Sequence, residues 1–326
     1  MKNKKQSLPT VTICTPTYNR RPFIPFLKKM VAYQTYPSEL INWVLVDDGT
    51  DKIEDLVKDV PNLTYIRLEE KISLGKKRNL MNEKATGEIL VYMDDDDYYP
   101  PERVSHAVET LMKNPHVNIV GSSIMHIYFK EIDKIYQFGP YGPTHATAAT
   151  FAFRKKLLNE CSYDETHCLA EEKHFLKELK IPLVQLDTMK TILVFSHNQN
   201  TFDKTPMINE PGPTVRETTK KPTDFIKDDE LKQFFLKDIV EQLNNYNEGN
   251  IINKPDVLKQ VNIMSIERLT KTKNDLLKAV NQNTFLIQTL QARDEEIKSL
   301  KIKLEHMHNK LREVIKTQMT NPPSPP

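Results

Sequence analysis

Apolar residues in the first two thirds of the chain come in short dense bursts separated by longer, helix-like segments. "VTICT" (11–15), "NWVLV" (42–46), "LTYIRL" (63–68), "EILVYM" (88–93) and "VNIVGS" (117–122) are near-continuous apolar runs of strand length. "RRPFIPFLKKMVAYQ" (20–34), "GKKRNLMNEKA" (75–85) and "ERVSHAVETLMKN" (102–114) read as the intervening helices, the first with prolines near its start. Continuous rather than alternating hydrophobicity marks strands buried on both faces. The pattern therefore predicts an α/β fold, a mostly parallel central sheet covered by helices.

After residue 205 the pattern changes. "DKTPMINEPGPTVRETTKKPTDF" (203–225) is rich in proline and threonine with no apolar period, which suits a linker or a strap across the domain. "DDELKQFFLKDIVEQLNNYN" (228–247) reads as an amphipathic helix packed on the preceding domain. Beyond Pro255, Leu269, Leu276, Asn283, Leu290, Ile297, Leu304 and Leu311 recur every seventh residue. Ala279, Leu286, Leu300, Met307 and Val314 lie three residues after members of that set, with Thr272 and Arg293 interrupting. This is an a/d heptad pattern and predicts a coiled coil; the alternative is one amphipathic helix laid on the globular domain. Asn283 at an a position favours a parallel dimer, whereas leucine at most a positions keeps trimer and tetramer open. The expected organisation is a tail over 1–9, an α/β domain over 10–205, a strap and packed helix over 206–257, a homo-oligomeric coiled coil over 258–318 and a disordered tail over 319–326.

Composition narrows the class. Forty-six basic against 44 acidic residues give a net charge of +2, which demands neither nucleic acid nor an anionic membrane. The three cysteines, Cys14, Cys161 and Cys168, cannot form a complete disulfide set, which suits a reducing compartment. Cys161 and Cys168 lie near His167 and His174, but the spacing matches no zinc pattern. "MKNKKQSLPT" (1–10) lacks the apolar segment of a signal peptide, and no run is apolar enough for a transmembrane span. The expectation is a soluble, cytoplasmic protein.

Against that background, Asp94 to Asp97 in "VYMDDDDYYPPE" (91–102) require an explanation, because four consecutive carboxylates repel one another unless a cation joins them. In open α/β sheets, ligands bind outside the carboxyl ends of the strands. "TPTYNR" (15–20) follows the first strand, "DDGTD" (47–51) the second and the four aspartates the fourth. All three segments should face one crevice.

"TICTPTYNRRPFI", "WVLVDDGTD", "LGKKRNL…ATGEILVYMDDDDYYPPERV" and "AEEKHFL", in that order, resemble the nucleotide-sugar-binding domain of family 2 glycosyltransferases, the GT-A fold, over residues 10 to 205. The resemblance implies an inverting transfer of a sugar from a nucleoside diphosphate donor, UDP by default, to a hydroxyl on an unidentified glycan, protein or lipid acceptor. It also implies Mn²⁺ or Mg²⁺, which lowers the cost of charge developing on the diphosphate. Asp94 and Asp96 match the DxD pair: Asp96 is the first metal ligand, and Asp94 lies near the ribose or metal. Asp95 belongs to the donor site, and either Asp95 or Asp97 could turn inward. Tyr18 offers a face to the base, and Asp48 an acceptor for a base N–H. Pro16, Thr17 and Asn19 shape the loop, and Arg78 approaches the nucleotide. Asp47 is open between ligand contact and an Asx turn with Gly49. Lys76 and Lys77 read as a solvated face.

An inverting transfer needs a base for the acceptor hydroxyl. The family commonly has an Asp in an E-D pair opening a helix; here the pair is Glu171 and Glu172, with Glu172 in the base position and Glu171 its neighbour. The one-methylene difference leaves a rival reading, a non-catalytic nucleotide- or glycan-binding module on a coiled-coil stalk. A nucleotidyltransferase is weaker, because "TPTYNRR" is not a Gly-rich phosphate loop. His197, in "LVFSHNQNT" (193–201), matches a residue that completes the metal shell in some members. "THATAATFAFRKKLL" (144–158) matches a segment with acceptor or sugar contacts. Every candidate lies at or before His197, so the chain beyond about Lys254 is expected to be dispensable for donor binding.

Overall fold

The computed structural model describes residues 7–169, 171–201 and 203–320. The tails expected over 1–9 and 319–326 fall outside the described residues at positions 1–6 and 321–326. The chain divides into two compact units, Met1–Gln260 and Val261–Pro326.

The first unit is built on a seven-stranded sheet. Its order is β3 (Leu63–Arg67), β2 (Ile41–Asp47), β1 (Val11–Thr17), β4 (Ile89–Tyr92), β8 (Ala152–Arg154), β5 (Ile119–Gly121) and β9 (Leu183–Gln185). The first four strands are parallel throughout, β8 runs antiparallel to both its neighbours, and β5 and β9 are parallel. β1 and β2 end in register, Thr17 beside Asp47, so the loops that follow them emerge at one edge. Every residue of β1 and β4 is buried, as their unbroken apolar runs require. Helices α1 (Ile24–Ala32), α2 (Glu54–Val57), α3 (Leu74–Lys84) and α4 (Arg103–Lys113) connect these strands, and α5 (Glu172–Phe175) is a single turn beyond β8.

A second, four-stranded sheet was not expected. Its order is β10 (Leu193–Ser196), β6 (Met125–Phe129), β7 (Lys134–Phe138) and β11 (Val215–Glu217). β11 lies inside the Pro- and Thr-rich stretch, so this part of the strap is paired backbone rather than a free linker. The short helices α6 (Thr205–Asn209) and α7 (Pro222–Phe225) complete it.

The helix expected over 228–247 is interrupted. α8 (Asp229–Gln233) and α9 (Ile239–Asn244) are joined by a π-helical turn, Phe234–Asp238. The wider turn brings both Phe234 and Phe235 into the core, where Phe234 stacks on Phe26 at 3.6 Å between centroids. Both phenylalanines lie in the core of the first unit.

α10 (Pro255–Thr320) is one uninterrupted helix of 66 residues, about 100 Å long at 1.5 Å per residue. In the unit beginning at Val261 its heptad residues are solvent-facing; Leu269, Leu276, Leu290 and Leu304 are each more than 60 % exposed. No helix among the described residues is long and apolar enough to cross a membrane.

Candidate active site

The loop after β1 is held by Asn19, whose φ of +51° turns the chain sharply. Its Oδ1 accepts from Asp51 N at 3.0 Å, and its Nδ2 donates to Thr50 Oγ1 and Glu248 O at 3.1 and 2.9 Å. Asn19 therefore shapes the loop from behind. Its neighbours Tyr18 and Arg20 line a cleft together with Pro16 and Thr17. The next loop is fixed by Asp47, which accepts from Gly49 N, Ile53 N and the Tyr65 hydroxyl. This is the Asx turn, and it settles Asp47 as structural.

The carboxyl end of β4 delivers the aspartates. Asp94, Asp95 and Asp96 line the cleft. Asp97 turns away and accepts from Phe195 N at 3.0 Å, binding this loop to the second sheet. Of the two residues left open by the sequence, Asp95 is the one facing the cleft. Burial pushes the carboxyls of Asp94 and Asp95 up, and the negative charge of Asp96 adds to this. Burial alone would raise Asp96 too, but its bond to His197 and the charge of Arg20 hold it below the usual carboxylate range.

Three buried cations neutralise this acidity. Arg20 Nε lies 3.3 Å from Asp96 Oδ2 and 3.8 Å from Asp95 Oδ1. Arg78 Nε donates to Glu171 Oε1 at 2.8 Å, and its terminal nitrogens lie 3.4 Å from Asp94 Oδ1. Lys77 bonds to Asp48 and to Thr17 O. The expected solvated face is thus half right: Lys76 is exposed, but Lys77 is buried. The correction follows from the phase of α3, whose N-cap Ser73 accepts from Lys76 N and turns Gly75, Lys77 and Arg78 inward. Asp48 does not reach the cleft wall; its oxygens engage Lys77 and Ile72 N. In this structure it positions Lys77.

The two glutamates differ. Glu171 is 4 % exposed and locked to Arg78. Glu172 is half-buried, and no other side chain bonds its carboxyl among the described residues. Burial, then the charge of Glu171, pushes its pKa up to about 7. His197 Nε2 stands 3.3 Å from Asp96 Oδ2, behind the cleft wall, and Gln199 N donates to its Nδ1 at 3.2 Å. Burial pushes this imidazole below its ordinary value, against the raising effect of Asp96.

Among the described residues no three His, Cys, Asp or Glu side chains gather as a complete metal cage. Asp96 and His197, 3.3 Å apart, are a carboxylate and an imidazole of the types that could contribute to a cation site completed by phosphate and water. Cys161 and Cys168 are free thiols.

Sequence reasoning missed Arg20, which directly follows "TPTYN", and Lys254, which had no local signal. Lys254 and Val257 both line the cleft, so its wall includes chain at and just beyond Lys254, where the sequence placed no candidate.

The parallel half of the sheet and the crevice at its carboxyl edge, lined by Asp94, Asp95 and Asp96, make this a GT-A-like domain. The family model for "Glycosyl transferase family 2" matches residues 12–174, half of the chain. The chain belongs to glycosyl transferase family 2. It is 28 % identical over 112 residues to an uncharacterized glycosyltransferase of Haemophilus influenzae, covering 34 % of this chain and 37 % of that protein. It is 26 % identical over 196 residues to the poly(ribitol-phosphate) β-N-acetylglucosaminyltransferase TarS of Staphylococcus aureus, covering 56 % and 32 % respectively. Among solved structures, a mannosyltransferase of Pyrobaculum calidifontis in complex with GDP-Man and Mn²⁺ superposes with a TM-score of 0.48 at 18 % identity, covering 71 % of this chain and 70 % of that one. The chain spans about a third of the length of the first two relatives.

Proposed function

We propose that the protein is a metal-dependent, inverting glycosyltransferase that moves a sugar from a nucleoside diphosphate donor, UDP by default, to a hydroxyl acceptor. One observation carries the reading: a buried arginine, Arg78, ties Asp94 to Glu171 at the carboxyl edge of the sheet, and the next residue, Glu172, carries a carboxyl of raised pKa that no other side chain bonds among the described residues. Tyr18, Pro16, Thr17, Arg78, Asp94 and Asp95 bind the donor, and Asn19 and Asp48 support them from behind. Asp96, Asp94 and His197 would hold Mn²⁺ or Mg²⁺, and the ion would offset the charge developing on the diphosphate.

Glu172 takes the proton of the acceptor hydroxyl as that oxygen attacks the anomeric carbon. The bond to the nucleoside diphosphate breaks, and the diphosphate leaves with the electron pair. Glu171 holds Arg78 and stays out of the proton transfer. The solvent-facing heptads of α10 support a homo-oligomer through residues 258–318. Val280, Ile287 and Ile315, each four residues after an a position, widen the seam beyond the two-stranded minimum.

The test is nucleoside diphosphate release from a panel of sugar nucleotides with and without Mn²⁺, using water and simple glycosides as acceptors. Binding without any turnover across the panel would favour the non-catalytic module.

A further inference from the structure

The segment leading into α10 closes one side of the cleft. Asn19 donates to Glu248 O, Arg20 Nη1 to Gly249 O at 3.3 Å, and the Tyr18 hydroxyl to Asn253 O at 2.8 Å. Gln199 Nε2 donates to Leu243 O and Tyr246 O. The approach is close: a Cβ on Gly249 would stand 1.9 Å from Gln199 Oε1 and 3.0 Å from the Asn19 carbonyl oxygen. Backbone fixed at so many points presents the next side chain, Lys254, in one place.

Lys254 is 4 % exposed and lines the cleft. The other cations there are all paired: Arg20 with Asp95 and Asp96, Lys71 with Asp256, Lys77 with Asp48, and Arg78 with Glu171 and Asp94. Lys254 has no carboxylate within ion-pair distance among the described residues; its ammonium bonds Thr201 Oγ1 at 3.4 Å and lies over the Tyr18 ring, 5.9 Å from its centre. Holding an ammonium buried without a carboxylate partner is costly, and it persists where something else requires it. A diphosphate entering beside three aspartates is itself repelled, and a cation not already spent on a carboxylate is what such a ligand needs.

We infer that Lys254, supplied from outside the α/β domain by the strap that precedes α10, binds the diphosphate of the donor. The inference rests on the donor-binding reading above. It makes the strap part of the donor site rather than a cover over it. Lys254 adjoins Pro255, the first residue of α10, and Val257 in the first turn of that helix lines the same cleft.

The test titrates the full-length protein with uridine and with UDP, each with Mn²⁺, by calorimetry, and repeats this for Lys254→Met and Lys254→Arg. Methionine keeps the length and removes the charge. Lys254→Met should weaken UDP by roughly 10- to 100-fold, the weight of a charge-assisted hydrogen bond, and leave uridine unchanged. Lys254→Arg should retain most of the UDP affinity. Without ligand the methionine variant should melt at the parent's temperature or higher, since it removes a buried charge without a carboxylate partner. Equal weakening of uridine and UDP, or a lowered melting temperature without ligand, would mean that Lys254 merely holds the strap, and the inference falls. Unchanged UDP affinity overturns it outright. A parent protein that binds neither UDP nor GDP would instead overturn the donor-site reading itself.

Discussion

Replacing Glu172 by glutamine removes one ionisable oxygen and almost no volume, and the surroundings of the pair fix what should follow. No other side chain bonds the Glu172 carboxyl among the described residues, so the fold loses no contact. Its stability should stay within about 0.5 kcal/mol of the parent. Turnover should fall by about 10²–10⁴-fold, the usual weight of a general base, equivalent to about 3–5 kcal/mol of barrier. Donor affinity should hold. Glu171→Gln perturbs the other half of the pair. Glutamine can still accept from Arg78 Nε, but a charge-assisted bond at 2.8 Å between side chains 2 % and 6 % exposed becomes a neutral one. The difference is about 1–2 kcal/mol, or a fall in Tm of roughly 2–8 °C for a unit of this size. Arg78 would then lean on Asp94 alone, so donor affinity should drop as well.

Three measurements separate the variants: nucleoside diphosphate release at saturating donor, donor affinity by calorimetry, and thermal unfolding. Glu172→Gln should move only the first, and Glu171→Gln chiefly the other two. If Glu171→Gln abolished turnover at unchanged Tm and affinity while Glu172→Gln stayed active, the roles would be reversed. If neither variant lost turnover, neither glutamate would be the base.

Asp96→Asn should erase the gain in donor affinity that Mn²⁺ confers and, by weakening the buried contacts to Arg20 and His197, lower Tm by roughly 2–8 °C; equal affinity of the parent with and without Mn²⁺ refutes metal binding through Asp96. Because Glu172 must be deprotonated to act and its pKa is raised to about 7, kcat/KM should fall about tenfold per pH unit below that value. An acid limb near pH 4 would point to an unperturbed carboxylate instead. Truncation after Gln260 should give a monomer by light scattering that still binds donor, and truncation before Lys254 should cost diphosphate affinity; a monomeric full-length chain would refute self-association through α10.

The parallel half of the main sheet was legible because its strands are buried on both faces, which leaves continuous apolar runs. β1, β2, β3 and β4 fall within two residues of their expected bounds. In the second sheet only β6 and β10 are nearly continuously buried. β7 has the burial sequence exposed, buried, half-buried, buried, buried, and β11 has one buried residue of three, so neither produces a run. β8 is a three-residue strand whose antiparallel place between β4 and β5 depends on partners distant in sequence. The interrupted helix at 229–244 was missed because two adjacent phenylalanines look the same to a helical period whether or not the backbone widens to seat both.

In the site, acids were easier to find than bases. A carboxylate directly behind a buried strand is already at the ligand edge, so strand order alone led to Asp94, Asp95 and Asp96. A lysine or arginine reveals nothing until its burial is known, since its long apolar stem reaches solvent from many places. Lys76 and Lys77 are neighbours of the same type, yet about 100° of helical rotation leaves one exposed and the other 5 % exposed against Asp48. Lys254 is harder still, because it lies 57 residues after His197 and reaches the cleft only through the returning strap. A domain boundary drawn from the family match, at residue 174, would therefore keep the acids of this cleft and discard one of the cations that make it hospitable to a diphosphate.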